Sequence, residues 1–93
     1  MKDDKIREAI SRGQGDVMNH VIEKYSRLLW PIASAVLEHV GSDQDVEECV
    51  ADAFIYLWQY PEKFDPARGT LKNYLCLVVR SRAIDRYRQI TRH

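Results

Sequence analysis

The sequence predicts an all-α fold, a compact bundle of about four to five helices, and three observations support this prediction. Apolar residues recur at the 3.6-residue spacing of a helix through most of the 93 residues. Capping residues and glycine or proline breaks divide the chain into segments of helical length. No stretch alternates apolar and polar residues over a useful length, so no strand is predicted. With 45% hydrophobic residues, the chain is long enough for one domain with its own core.

Two helices are predicted in the first half of the chain. A short polar helix over residues 3–12 is stopped by the segment 13–15, and Asp16 is predicted to cap the second helix. Pro31 is predicted to kink or restart that helix because it lacks a backbone donor, and Gly41 is the predicted stop. The apolar positions of the second helix follow helical spacing: Val17, Val21, Ile22, Tyr25, Leu28, Leu29, Ile32, Val36, Leu37 and Val40.

The third helix is predicted to begin at Ser42 or Asp43 and to end near Tyr60, because Asp45 follows Ser42 at capping-box spacing. Its predicted core stripe consists of Val46, Val50, Ala53, Phe54 and Leu57. The opposite face gathers Glu48, Asp52, Ile55 and Gln59, flanked by Ala51 and Tyr56. A loop with turn-forming residues is predicted over residues 61–69.

Thr70 is predicted to cap the last helix, which runs to about Gln89. The first half of this helix is apolar on nearly every side and is predicted to be buried: Leu71, Tyr74, Leu75, Leu77, Val78 and Val79. In the second half, the predicted inward positions are Val79, Ala83, Tyr87 and Ile90. The outward face holds Ser81, Asp85, Arg88 and Arg92, widened by Arg82, Arg86 and Gln89.

The formal net charge of zero hides a strong asymmetry along the chain. Residues 41–61 carry five acidic residues and no lysine or arginine, whereas residues 62–93 carry eight lysines and arginines against three acidic residues. Such asymmetry indicates two separate binding surfaces on one molecule. The alternative is that the acidic and basic segments pair with each other, and charge alone leaves both possibilities open.

The acidic face of the third helix suits a basic protein partner. Its carboxylates flank an exposed Ile55 and have no basic neighbour on the same helix. In such an interface the apolar atoms contribute contact area and the carboxylates set the orientation. The alternative is an ordinary solvated face with one exposed isoleucine.

The basic face of the last helix suits nucleic acid, since arginines can bind phosphates while a serine or glutamine reaches a base edge. Asp85 is expected to support Arg82 and Arg88, three residues away on each side, rather than to contact DNA. The alternative is an exposed basic helix with ordinary ion pairs.

Aromatic residues interleave with cations around the loop, a combination that suits single-stranded nucleic acid because any base can stack on a ring. The aromatic residues are Tyr60, Phe64 and Tyr74, and the cations are Lys63, Arg68 and Lys72. Phe64 could equally fill the core, and the sequence leaves this open.

Signals for catalysis, metal binding and membrane insertion are missing from the sequence. It contains no phosphate-binding glycine-rich loop and no HExxH or GxSxG motif. Cys49 and Cys76 are not at the spacing of a zinc site, and both thiols are expected to pack in the core. The histidines are scattered along the chain and are not expected to bind a metal: His20, His39 and His93. No apolar run approaches the roughly 20 residues that cross a bilayer, and the acidic start is no signal peptide. A cytoplasmic protein without enzymatic activity, cofactor or metal is therefore expected.

Three segments taken together resemble the extracytoplasmic-function (ECF) group of bacterial sigma factors. Residues 45–54, DVEECVADAF, are similar to the family's acidic helix, D-A-E-D-L-V-Q-E-V-F. Phe64-Asp65-Pro66 through Gly69, followed by Tyr74-Leu75, resembles the loop and the W-L step that follow it. Residues 80–88, RSRAIDRYR, are similar to R-N-x-A-x-D-x-x-R. The resemblance covers residues 1–93 as a single region 2 domain and is most specific over residues 45–88.

The resemblance implies two binding surfaces. The acidic helix would dock on the β′ clamp helices of RNA polymerase through Asp45, Glu48, Ala51, Asp52, Ile55, Tyr56 and Gln59. The loop and last helix would read and melt the −10 promoter element on the non-template strand through Lys63, Phe64, Arg68, Lys72, Tyr74, Arg80, Ser81, Arg82, Asp85 and Arg88. An anti-sigma factor is a further implied partner.

The sequence departs from the family pattern at three positions. Ala51 replaces a glutamine, Tyr74 a tryptophan and Ser81 an asparagine that helps to hold the flipped base. A full family member also carries a C-terminal helix-turn-helix domain, region 4, which is absent here, so an excised domain or one half of a split factor is expected.

Two other functions fit parts of the pattern. A non-enzymatic helical adapter could join two proteins through its acidic and basic faces. A duplex-binding helix-turn-helix is disfavoured, because about nine loop residues separate the last two helices where that motif has three or four.

Overall fold

The computed structural model describes residues 1–92, which form four α-helices and one short 3₁₀ turn. In chain order these are α1 (Asp3–Ser11), α2 (Gly15–Leu37), α3 (Asp43–Gln59), the 3₁₀ turn (Pro61–Lys63) and α4 (Leu71–Thr91). Within these residues there is no strand, and the predicted all-α bundle is confirmed. None of the helices in the described part of the chain is both long enough and apolar enough to span a lipid bilayer.

The start of α2 differs from the prediction that Asp16 caps it. Gln14 occupies the N-cap position, and its side chain makes no capping hydrogen bond. Asp16 lies inside the first turn, where its carboxylate interacts favourably with the positive end of the helix dipole. The preceding turn sets this register, because Gly13 adopts a left-handed φ of 76° directly after α1.

Pro31 does not restart α2, although a restart was one of the two outcomes predicted for it. The helix runs through Pro31 and continues to Leu37. Leu29 and Ala33, on either side of the proline, are fully buried. Tertiary packing of this stripe therefore holds the helix together across one missing backbone donor.

The end of α2 lies at Leu37 rather than at Gly41. The chain leaves the helix at His39, which has a left-handed φ of 69°. The backbone N–H groups of Val40 and Gly41 then donate to the Leu37 carbonyl at 3.1 and 2.9 Å. A histidine thus provides the left-handed residue that the sequence assigned to glycine, and these two hydrogen bonds satisfy a carbonyl at the helix end.

The start of α3 forms the predicted capping box. The backbone N–H of Asp45 donates to Ser42 Oγ at 3.2 Å, and the Ser42 N–H donates to Asp45 Oδ2 at 2.8 Å. Hydrogen bonds from the Ser42 backbone and hydroxyl, together with the charge of Arg86, hold the pKa of Asp45 below its ordinary value.

Thr70 likewise caps α4 as predicted, accepting a hydrogen bond from the Asn73 N–H at 3.1 Å.

The core lies between α2, α3 and α4. All five residues of the predicted α3 stripe are buried. Both cysteines are free thiols. Cys49 is buried as expected, and burial raises the pKa of its thiol, whereas Cys76 is only partly buried. The side chains with no exposed surface are Leu29, Ala33, Ala53, Leu57, Leu71, Leu75, Val79 and Ala83.

The prediction for α4 is wrong at Leu77 and Tyr87, which are 69% and 42% exposed. The helix packs through one stripe of residues spaced four apart, and Leu77 lies about 200° around the helix from this stripe. Residues four apart on an α-helix are also offset by about 40° around the helix axis. Tyr87, four residues after the buried Ala83, therefore points away from the core. Ile90, seven residues after Ala83, returns to the inner side and is half-buried, as predicted.

Replacing Ser42 with alanine removes the capping hydroxyl and should lower the free energy of unfolding by about 1 kcal/mol. Urea denaturation followed by circular dichroism measures the change. Ser81→Ala is the matched control, because Ser81 is exposed in the middle of α4 and should change stability by less than about 0.5 kcal/mol. Equal losses in the two variants would contradict a capping role for Ser42.

The lowered pKa of Asp45 predicts an acid dependence of stability. Its contribution is complete above the ordinary value of 3.8 and is lost as the pH falls from there through the lower folded pKa. We therefore expect Asp45→Asn to reduce the slope of unfolding free energy against pH in this acid range, measured by denaturation over a pH series. Asp43→Asn, outside the capping box, is the control; a wild-type slope in Asp45→Asn would refute the prediction.

Candidate functional site

The loop before α4 is held in place by α1. Arg7 Nη1 donates a hydrogen bond to the Phe64 carbonyl at 3.0 Å. Asp3 Oδ2 accepts a hydrogen bond from the Leu71 N–H at 2.8 Å, which satisfies one of the unpaired donors at the start of α4. Two side chains of α1 therefore fix both the loop and the first turn of the helix that follows it.

Phe64 fills the core, which decides the question that the sequence left open. Its side chain is 1% exposed, and its ring packs against Tyr74 with centroids 5.2 Å apart. The predicted role of Phe64 in DNA contact is therefore wrong for its side chain, because a buried ring has no free face for a base. Tyr74 is half-buried at the edge of this contact, and burial raises the pKa of its hydroxyl.

The remaining loop and α4 residues assigned to DNA surround one surface, which we call the basic cleft. Three adjoining depressions of 460, 280 and 370 Å³ make up the cleft. Nine of the ten predicted DNA-binding residues line it, including the almost fully buried Phe64: Lys63, Phe64, Arg68, Tyr74, Arg80, Ser81, Arg82, Asp85 and Arg88. Lys72 is exposed on α4 but does not line these depressions.

Two cations that line the basic cleft, Arg82 and Lys63, flank a pair of aromatic rings. The Arg82 guanidinium lies 5.1 Å from the centre of the Tyr56 ring, and the rings of Tyr56 and Tyr60 are 5.3 Å apart. The Lys63 ammonium lies 5.9 Å from the Tyr60 ring. Tyr56, assigned by the sequence to the acidic face, thus lines the cleft instead, because it lies at the edge of α3 next to α4.

The expected support of two arginines by Asp85 holds for one of them. Asp85 Oδ1 lies 3.8 Å from Arg88 Nη1, as an exposed ion pair. Within residues 1–92 Asp85 makes no ion pair with Arg82, because that guanidinium lies over the Tyr56 ring instead.

Leu77 is the cleft residue that the sequence analysis missed. It lines all three depressions, and among residues 1–92 no other residue is common to them. Its spacing was a usable signal, since Leu77, Ser81 and Asp85 are four residues apart and share one helix face. The apolar character of the first half of α4 concealed it, because the whole segment was predicted to be buried.

The outward side of α3 carries the residues assigned to a protein partner, and we call this set the acidic face: Asp45, Glu48, Ala51, Asp52, Ile55 and Gln59. Ala51, Asp52, Ile55 and Gln59 are exposed, with Ile55 50% accessible. Asp52 forms no ion pair in the described part of the chain. At 100° per residue, these positions occupy one continuous arc of α3.

Two carboxylates of the acidic face, Asp45 and Glu48, have a basic neighbour on another helix. Arg86 of α4 reaches across to them, with Nη1 3.2 Å from Asp45 Oδ1 and Nη2 2.6 Å from Glu48 Oε2. Partial burial opposes the charge on Arg86, but the hydrogen bond to Glu48 holds its pKa above the ordinary value. The alternative that acidic and basic segments pair with each other is therefore correct for this arginine.

An apolar groove borders the acidic face on the side away from the basic cleft. Its volume is 420 Å³, and it is lined by Gly15, Met18, Asn19, Ile22, Ala51, Phe54, Ile55 and Trp58. Trp58 is 40% exposed and was missed by the sequence analysis, although its spacing of three from Ile55 and seven from Ala51 places it on the same side of α3. Apolar area thus lies directly beside the carboxylates.

No group of three or more histidine, cysteine, aspartate or glutamate side chains in residues 1–92 is arranged to hold a metal ion.

Comparison with known proteins gives one positive result. The family model for Sigma-70 region 2 matches residues 21–93, which include most of α2, all of α3 and α4 and the loop between them. No curated protein and no solved structure gives a significant match to the chain. Because the match covers well over half of the sequence and includes both the acidic face and the basic cleft, the chain belongs to the sigma-70 region 2 family, whose domains interact with RNA polymerase and promoter DNA in non-enzymatic transcription initiation factors.

Proposed function

We propose that the chain is the polymerase-binding and promoter-melting domain of an ECF-type sigma factor. In this proposal residues 1–93 act together as one region 2 domain in the cytoplasm, without a cofactor, under the control of an anti-sigma factor. The observation that carries the proposal is the assembly of cations, aromatic rings and a serine in one basic cleft beside a separate acidic face.

The acidic face is the proposed docking surface for the β′ clamp helices. Ile55 and Trp58 provide exposed apolar area, while Glu48 and Asp52 provide charge that orients a basic partner. Arg86 supports this surface from α4, because its hydrogen bonds hold the carboxylates of Asp45 and Glu48. The same contacts tie the acidic face to the helix that forms the basic cleft, so that docking positions the cleft.

The basic cleft is the proposed site for the −10 element of the non-template strand. Its largest depression, 460 Å³, has Tyr56 and Tyr74 for stacking, Ser81 for hydrogen bonding and Arg82 for charge. Arg88 lies further along α4, where a phosphate can reach it. Flipping a base out of the duplex costs a few kcal/mol of unstacking, which these contacts offset; the domain makes and breaks no covalent bond.

Charge reversal on the acidic face tests polymerase docking. Asp52→Lys should reduce binding to a β′ clamp-helix fragment by at least tenfold, because a like charge would face the basic partner. Isothermal titration calorimetry measures this affinity. Glu48→Lys should act in the same direction, but it also removes the partner of Arg86, which makes Asp52→Lys the cleaner variant.

Glu23→Lys in α2 is the matched control, because it makes the same charge change on an exposed residue outside the acidic face that, like Asp52, forms no ion pair within residues 1–92. This variant should bind the fragment as the wild-type chain does. Unchanged binding of Asp52→Lys would overturn the docking assignment.

Truncation of the cleft arginines tests DNA binding. Arg82→Ala and Arg88→Ala should each weaken binding to a −10 non-template oligonucleotide and lower the salt slope by about 0.7 for each lost phosphate contact. Fluorescence anisotropy with the chain bound to core RNA polymerase measures both quantities over a salt series. Arg27→Ala, an exposed position on α2, is the matched control and should retain the wild-type slope.

The same measurement separates the adapter alternative from the proposal. A helical adapter would show no affinity for single-stranded DNA, and the cleft variants would change nothing. If Arg82 and Arg88 bind phosphates, their variants should weaken binding to the −10 strand and to unrelated strands alike, whereas a loss confined to the −10 strand would mean that these arginines also read bases.

A further inference from the structure

Leu77 is an apolar side chain at the centre of a polar, cationic surface. It is 69% exposed and borders all three depressions of the basic cleft. The other exposed side chains close to it along α4 are charged or polar, such as Asn73, Arg80 and Ser81. Single exposed apolar residues are common on protein surfaces, but this one adjoins each of the three depressions in which a ligand could lie.

Packing of α4 prevents Leu77 from turning into the core. Leu75 and Val79, two residues before and after it, have no exposed surface and fix the rotation of the helix. Leu77 is therefore held outward by the same contacts that bury its neighbours. Its side chain lines the cleft in the folded chain without any rearrangement.

Chemistry restricts what a leucine can recognise in DNA. The backbone is charged, and thymine is the one DNA base with a methyl group on its edge, at C5, whereas adenine, guanine and cytosine present hydrogen-bonding groups and ring C–H groups. A leucine side chain makes no hydrogen bond, so contact with that methyl group is the base-selective interaction available to it. The nearby arginines and tyrosines bind phosphates and ring faces, which are alike in all strands.

We propose that Leu77 is a specificity-determining residue that selects thymine in the basic cleft by packing against its C5 methyl group. This inference rests on the proposed function, since it requires a single strand in the cleft. It adds a base preference that the charged and aromatic residues of the cleft do not provide.

The test compares two single strands of equal length, oligothymidine and oligodeoxyuridine. They have the same phosphates, sugars and hydrogen-bonding edges and differ only in the C5 methyl group. Affinities are measured by fluorescence anisotropy for the full chain bound to core RNA polymerase. The wild-type chain should prefer oligothymidine by about fourfold, the value expected for burying one methyl group.

Leu77→Ala should abolish this preference by weakening oligothymidine binding alone, and Leu77→Met should retain it because the methionine side chain is also apolar. Circular dichroism checks that the variants fold, which is expected for substitutions at a 69% exposed side chain. Lack of a preference in the wild-type chain, or its persistence in Leu77→Ala, would overturn the inference. So would equal weakening of both strands in Leu77→Ala, which would indicate a stacking surface without base selectivity.

Failure of the proposed function gives a different result. If the wild-type complex bound neither strand better than core polymerase alone, DNA binding by the basic cleft would be refuted, and thymine selection with it. Binding of both strands without discrimination would leave the cleft in place and remove only the role of Leu77.

Discussion

Burial of one stripe of α4 is the constraint on which the rest of the structure depends. Leu71, Leu75, Val79 and Ala83 have no exposed surface, and they pack against α2 and α3. Small residues in the facing helices, Ala33 and Ala53, are also fully buried and allow the helices to approach closely. Because side chains radiate at fixed angles from a helix, burying this stripe determines which residues of α4 face outward. Both the basic cleft and the exposure of Leu77 follow from that single rotation.

The second constraint is the attachment of the loop by α1. Asp3 accepts a hydrogen bond from the first turn of α4, and Arg7 donates one to the loop backbone. These contacts join segments more than fifty residues apart, and they act together with the buried ring of Phe64. The loop therefore holds Lys63 and Arg68 beside α4 through backbone contacts, and its cations remain available to a ligand. α1 lies before the segment matched by the family model, yet it supports a surface within that segment.

Arg86 connects the two surfaces of the molecule. It is the cation of α4 that pairs with α3, and its guanidinium bridges Asp45 and Glu48. A side chain that links a capping carboxylate on one helix to a basic helix limits sliding and rotation between them, because both hydrogen bonds would break. In the proposed function this contact transmits the position of a docked polymerase to the DNA site. The net charge of zero therefore has two sources. Arg86 pairs with carboxylates inside the molecule, and the acidic face and the basic cleft carry charges of opposite sign on its surface.

The sequence by itself determined the all-α class, the capping residues Ser42 and Thr70, the core stripe of α3 and the separation of acidic from basic segments. These features depend on local spacing and on hydrogen bonds within a few residues, which the order of side chains specifies. The resemblance also led to the correct family, because several motifs occur in the right order. Most of the predicted cleft residues came together because they share one helix face or the loop directly before it.

Only the tertiary structure decided which apolar residues stay exposed and which charges pair. Leu77 is chemically suited to a core, and it lies outward because α4 has partners on one side only. Arg86 and Phe64 could not be assigned from spacing, since their partners lie on other helices. The continuation of α2 through Pro31 also depends on tertiary packing, because its buried neighbours Leu29 and Ala33 lie against other helices. Local sequence encodes helices and their faces, but which face meets another helix is set by packing between segments distant in the chain.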